Sequence, residues 1–184
     1  LDRSCELGRK AVLLDEGDAS CHDAAAWCFI RSGRLEEAQS HLRRAIAINA
    51  HDGMVQSHMG FLLSYMGRSK EAAPYFERGE RLNPFAARWY ASLIGVSAYM
   101  ESKYEAAASS FQDALDAEWV WDLMYLAAAL GQLGRKAEAG AILVKCARLK
   151  PDIPVIEFAK AEPYQNPADT EHLIEGLRKA GLDC

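Results

Sequence analysis

Two helix-length stretches, residues 21–32 and 35–48, carry apolar or small side chains at the spacings of three and four that mark one buried helical face. Between them stands the turn Gly33-Arg34-Leu35-Glu36-Glu37-Ala38, which returns as Gly67-Arg68-Ser69-Lys70-Glu71-Ala72 one 34-residue period later. A looser copy, Ser102-Lys103-Tyr104-Glu105-Ala106-Ala107, follows after 35 residues, and Gly134-Arg135-Lys136-Ala137-Glu138-Ala139 after a further 32. The pattern predicts one helical hairpin in each of residues 20–52, 53–84, 88–118 and 120–151. Residues 1–15 match the second half of such a hairpin, because Ala11 lies 34 residues before Ala45 and Leu14-Asp15-Glu16 stands where Ile48-Asn49-Ala50 stands one period on. Half a repeat at the start, without an initiator Met, is the expectation for part of a longer polypeptide.

Helical hairpins repeating at close to 34 residues resemble the tetratricopeptide repeat, TPR. The resemblance covers residues 1–151 and implies an all-α fold, a right-handed superhelix of TPR helical hairpins closed by a C-terminal capping helix. It implies small residues at three positions where helices cross closely. These hold Ala26, Gly60, Gly95 and Ala127, then Ala38, Ala72, Ala107 and Ala139, then Ala45, Gly79, Ala114 and Cys146. Large apolar positions hold Phe29, Leu63, Ala98 and Leu130 on the first helices, and Leu42, Phe76, Phe111 and Leu143 on the second. The departures fall at junctions. A proline closes the second and fourth repeats as Pro84 and Pro151, but Ala50 and Trp119 stand there in the first and third, and Ser102 replaces the turn glycine. Trp119 and Trp121 straddle the short spacing between the third and fourth repeats, where an altered stacking angle is expected.

Beyond Pro151 the period is lost. Prolines at 154, 163 and 167 predict extended or short helical chain, because proline lacks an N–H and restrains the residue before it. Residues 167–180 then read as a helix, with Leu173, Ile174 and Leu177 on one side and Gly181 as its stop. The expected organisation is a half repeat over 1–15, four repeats over 19–152, and a Pro-rich connection with a capping helix over 153–184.

In TPR arrays the first helices line a concave groove for a partner. Carried over by position, the resemblance implies a groove formed by Asp23, Trp27 and Arg31 of the first repeat and by Met54, Ser57, Phe61 and Tyr65 of the second. The third supplies Trp89, Ser92, Tyr99 and Met100, and the fourth Trp121 and Met124. Such a surface is rich in aromatic and methionine side chains, which give large, adaptable contact area. The alternative is that Trp27, Phe61 and Trp89 pack against neighbouring helices. Asp23, Trp27, His58 and Ser92 stand where some relatives clamp a peptide carboxylate with Lys, Asn and Arg, so an acidic-tail clamp is not expected.

A net charge of −5 repels a phosphate backbone and argues against nucleic acid. Five scattered cysteines without a C-x-x-C pair, Cys5, Cys21, Cys28, Cys146 and Cys184, read as reduced thiols of a cytoplasmic protein. No apolar run spans a bilayer, so no membrane partner is expected. His22, His41, His51, His58 and His172 never fall at the i, i+4 spacing of a helical metal pair, and neither metal nor cofactor is expected. Asp122, Glu138 and the Glu36-Glu37 pair fall at repeat positions read as solvent-facing or capping, and no nucleophile stands beside them. Arg31, Arg34, Arg43 and Arg44 read as a solvated basic face.

The tail, Pro163-Tyr164-Gln165-Asn166-Pro167-Ala168-Asp169 followed by Leu173 to Leu182, resembles the ending of bacterial multidomain proteins. In these, a class III adenylate/guanylate cyclase, or a winged-helix DNA-binding domain, precedes a TPR array. The resemblance implies a non-catalytic C-terminal interaction or dimerisation module of a cyclase, acting in cyclic-nucleotide signalling. Its catalytic residues would lie upstream. The partner would be a peptide segment, a neighbouring domain or a second copy in a homodimer. The alternatives are the TPR region of a winged-helix regulator and an RNA-binding helical repeat.

Overall fold

A computed structural model describes residues 2–114 and 119–182. Leu1 of the half repeat, residues 115–118 at the end of the third repeat, and Cys184 lie outside the described residues. The described chain is all helix, with no strand among its residues: α1 (Asp2–Leu14), α2 (Ala19–Arg31), α3 (Leu35–Ile48), α4 (Gly53–Tyr65), α5 (Ser69–Leu82), a 3-10 turn (Pro84–Ala86), α6 (Ala87–Met100), α7 (Tyr104–Ala114), α8 (Val120–Gln132), α9 (Lys136–Leu149), α10 (Val155–Lys160) and α11 (Pro167–Lys179).

The sequence fixes the helix ends through local chemistry. Asp18, Asp52 and Asn166 cap α2, α4 and α11 by accepting from backbone N–H groups of the first turn. The second helices α3, α5 and α9 have no side-chain cap. There the recurring Gly-Arg-x-x-Glu turn places Arg34 against Glu37, Arg68 against Glu71 and Arg135 against Glu138. The carboxylate lies in the first helical turn, where the helix dipole favours it. Arg68 holds the Glu71 carboxyl below its ordinary range through this hydrogen bond.

The turns themselves are near copies. Arg34 N–H donates to Phe29 O at 2.9 Å, Arg68 N–H to Leu63 O at 2.8 Å, Lys103 N–H to Ala98 O at 2.9 Å and Arg135 N–H to Leu130 O at 2.9 Å. Each bond closes over a residue with positive φ: Gly33 at 73°, Gly67 at 71°, Ser102 at 59° and Gly134 at 72°. Ser102 therefore adopts the glycine conformation with a Cβ attached, at a cost of about 1–2 kcal/mol.

The chain divides into two compact units. The first comprises residues 1–90 and 163–165, with α1 packed on α2 and the hairpins α2/α3 and α4/α5 in contact. The second comprises residues 91–162 and 166–184, with α7 and α9 on α8 and α11 laid along α8.

All twelve small positions are buried. They set the helix spacing in each unit. A Cβ on Gly60 would meet the Phe76 ring at 2.9 Å, and one on Gly95 the Phe111 ring at 2.8 Å. Of the eight large apolar positions only Leu143 is not fully buried, on α9, where Val144 is 53 % exposed.

Candidate functional site

In the first unit, α2, α4 and the first turn of α6 enclose a cleft of about 540 Å³ lined by Asp23, Ala24, Trp27, Cys28, Met54, His58 and Trp89. Helical spacing builds it: Asp23 and Trp27 lie one turn apart on α2, and Met54 and His58 one turn apart on α4. Trp27 is its centre. Its ring centroid lies 4.8 Å from His58, 5.5 Å from Phe61 and 5.8 Å from Trp89, and the two indoles are inclined at 49°. Phe61 stands one 34-residue period after Trp27, so the stacked pair is the repeat contacting itself.

The polar corner consists of Asp23 and His58. Nδ1 of His58 lies 2.8 Å from Asp23 Oδ1, with the two side chains 8 % and 17 % exposed. A neutral imidazole in this contact donates from Nδ1, which leaves Nε2 an acceptor. Nε2 is buried and has no partner among the described residues.

Beyond the cleft, the first unit holds a strap from the chain's own tail. Gln165 N–H donates to Tyr65 O at 2.9 Å, Gln165 Nε2 donates to Glu36 Oε1 at 3.0 Å, and the Tyr164 ring lies 4.7 Å from that of Tyr65. Arg31 donates to the Tyr65 hydroxyl at 3.3 Å.

The second unit holds its own tail more extensively. Tyr99 OH donates to His172 O at 3.0 Å, and their rings stack at 4.8 Å. Tyr104 OH meets His172 Nε2 at 2.9 Å. Glu162, 5 % exposed, accepts from Trp121 Nε1 at 3.0 Å and from Tyr125 OH at 2.9 Å. Lys179 donates to Gln132 at 2.8 Å.

Of the thirteen expected groove residues, the cleft brings together Asp23, Trp27, Met54 and Trp89. Six are buried and correct the expectation of an accessible groove: Ser57, Phe61, Tyr65, Ser92, Tyr99 and Met124. Phe61 lies under Trp27, Tyr65 under Tyr164, and Tyr99 under His172. Arg31, Met100 and Trp121 are half-buried outside the cleft. Repeat positions alone did not single out Ala24 and Cys28, nor Glu162 and His172. Asp122 is a second correction. Read as solvent-facing or capping, it is 2 % exposed, and burial pushes its carboxyl up to about 6 against a hydrogen bond from Ser92.

Cys5, Cys21, Cys28 and Cys146 carry free thiols. Among the described residues no three His, Cys, Asp or Glu side chains cluster to hold a metal, and no helix is long and apolar enough to cross a membrane.

Residues 19–52 and 125–153 match the model of the tetratricopeptide repeat. These two segments carry tetratricopeptide repeats. Solved TPR structures share the fold. YrrB, described as a TPR protein with an unusual peptide-binding site, is 18 % identical, with a TM-score of 0.58 over 96 % of this chain and 91 % of its own. PilF of Pseudomonas aeruginosa is 17 % identical, with a TM-score of 0.65 over 92 % and 79 %. MamA of Desulfovibrio magneticus RS-1 is 17 % identical, with a TM-score of 0.60 over 89 % and 93 %. No curated protein sequence matches the chain.

Proposed function

We propose that this TPR chain is a noncovalent protein-recognition module and that a partner's extended segment docks in the Trp27–Trp89 cleft. The cleft itself carries the reading: two indoles and Met54 supply apolar wall, and Asp23 and His58 supply one polar corner. All are held on helices whose ends and spacing are set locally. A preformed cleft orders little backbone on binding, so burial of aromatic area appears as affinity rather than offsetting lost entropy. The peptide-binding site described for YrrB is in keeping with this use of the fold.

Photo-crosslinking in the native cytoplasm tests it. Benzoylphenylalanine replacing Met54 is expected to form one dominant protein adduct, and the same group replacing the exposed Lys70 on α5 none. Equal adducts from both positions, or an adduct from position 70 alone, contradict the reading.

The finer reading attaches the module to a bacterial nucleotide cyclase as its dimerising C-terminal region. The tail sequence of residues 163–182 supports it. Reading the frame upstream of Leu1 tests it: an in-frame cyclase domain supports the attachment, and a start codon within a few residues of Leu1 contradicts it.

A further inference from the structure

We propose that the partner group seated in the cleft, beside Trp27, Trp89 and Asp23, is an arginine side chain. The inference rests on the reading above that a segment docks in this cleft, and it adds which side chain anchors it.

The first ground is charge. The lining contains the Asp23 carboxylate and no Lys or Arg, so no permanent cation in the wall compensates it. The Asp23 side chain is 17 % exposed and gives Oδ1 to His58. A carboxylate offers about four lone-pair sites, so it keeps capacity for further donors. The whole chain has a net charge of −5, which favours approach of a basic segment over an acidic one.

The second ground is the donor and acceptor balance. Asp23 accepts only, and Nε2 of His58, a lining residue, is a buried nitrogen with no partner among the described residues, an acceptor in the neutral imidazole. A purely apolar occupant would cover the partly exposed Asp23 carboxylate without replacing its water, which costs free energy for a group left unpaired. A carboxylate occupant would bring more acceptors and a like charge. A group that only donates fits.

The third ground is shape. The Trp27 and Trp89 indoles, 5.8 Å apart and inclined at 49°, form an aromatic wall in the same lining as the carboxylate. Guanidinium is planar, weakly hydrated, rich in donors and stacks on indole, whereas ammonium is a compact, strongly hydrated point charge. A cation over Trp is the most favourable of the aromatic pairings. Arginine meets all three conditions at once.

The test uses the full chain and three capped heptapeptides, Gly-Ser-Leu-Arg-Leu-Ser-Gly and the same sequence with citrulline or Glu in place of Arg. Binding is followed by the indole N–H signals of Trp27 and Trp89 in nuclear magnetic resonance titrations. The arginine peptide is expected to bind about tenfold more tightly than the citrulline peptide, which keeps the shape and loses the charge. Asp23→Asn can still accept from His58 Nδ1–H, so it preserves the packing. It is expected to reduce that preference to about threefold or less. If the three peptides move both indoles with equal affinity, or the Glu peptide binds most tightly, the arginine assignment is overturned and the docking cleft stands. If none moves either indole, both are overturned.

Discussion

Asp122 lies buried on α8 with one oxygen, Oδ1, unpaired among the described residues. Its folded carboxyl keeps the proton to about pH 6, whereas the ordinary value is 3.8. Between those values the folded state binds more protons than the unfolded one, so this group makes stability fall as pH rises. Above pH 6 the full penalty is present, of order 3 kcal/mol at most. Asp122→Asn is expected to stabilise the chain at pH 7.5 by about 1–3 kcal/mol and to flatten stability between pH 4 and 6.5, as measured by urea unfolding. Wild type and variant sharing the same slope would contradict this origin. Repeat position suggested a solvent-facing or capping residue here. The period says which face of a helix a residue occupies, but not whether a distant segment later covers that face. Trp27 illustrates the other side. Its spacing from Phe61 was legible as one period, and the stacked contact follows from it.

At the level of elements, the helices and turns were largely written locally. Asp18, Asp52 and Asn166 start helices, and Gly33, Gly67 and Gly134 stop them in a conformation that costs glycine little. The helical period also located α11, with Leu173, Ile174 and Leu177 buried on one side. Its docking site was not legible. The bonds that fix it join residues 68 and 73 positions apart, and no local pattern encodes such pairs. Two glycines allow the approach: a Cβ on Gly176 would strike the Tyr99 hydroxyl and stand 2.9 Å from Ala128 O, and a Cβ on Gly131 would meet Ala180 N at 2.6 Å. Because the neighbours include backbone, they cannot rotate away. Gly176→Ala is expected to cost about 1–3 kcal/mol and to raise amide hydrogen exchange along α11 more than along α2. Unchanged exchange in α11 would contradict close docking as the reason for the glycine.

At the scale of the whole chain, the repeat class was legible because twelve crossing positions hold Gly, Ala or Cys at nearly constant spacing, and the structure buries all twelve. The accessible site was less so. Phe61 is buried under Trp27 and Tyr65 under Tyr164 of the tail, which leaves both poor targets for probing recognition. Charge at either would unfold core rather than report binding. Trp27, half-buried at the centre of the cleft, is the informative position. The most direct measurement is the affinity of the crosslinked partner segment for wild type and Trp27→Ala, each verified as folded by circular dichroism. Central aromatic anchors commonly carry about 2 kcal/mol or more, so a loss of at least about tenfold is expected. A folded Trp27→Ala chain that binds the segment as tightly as wild type would place recognition elsewhere and contradict the cleft as its seat.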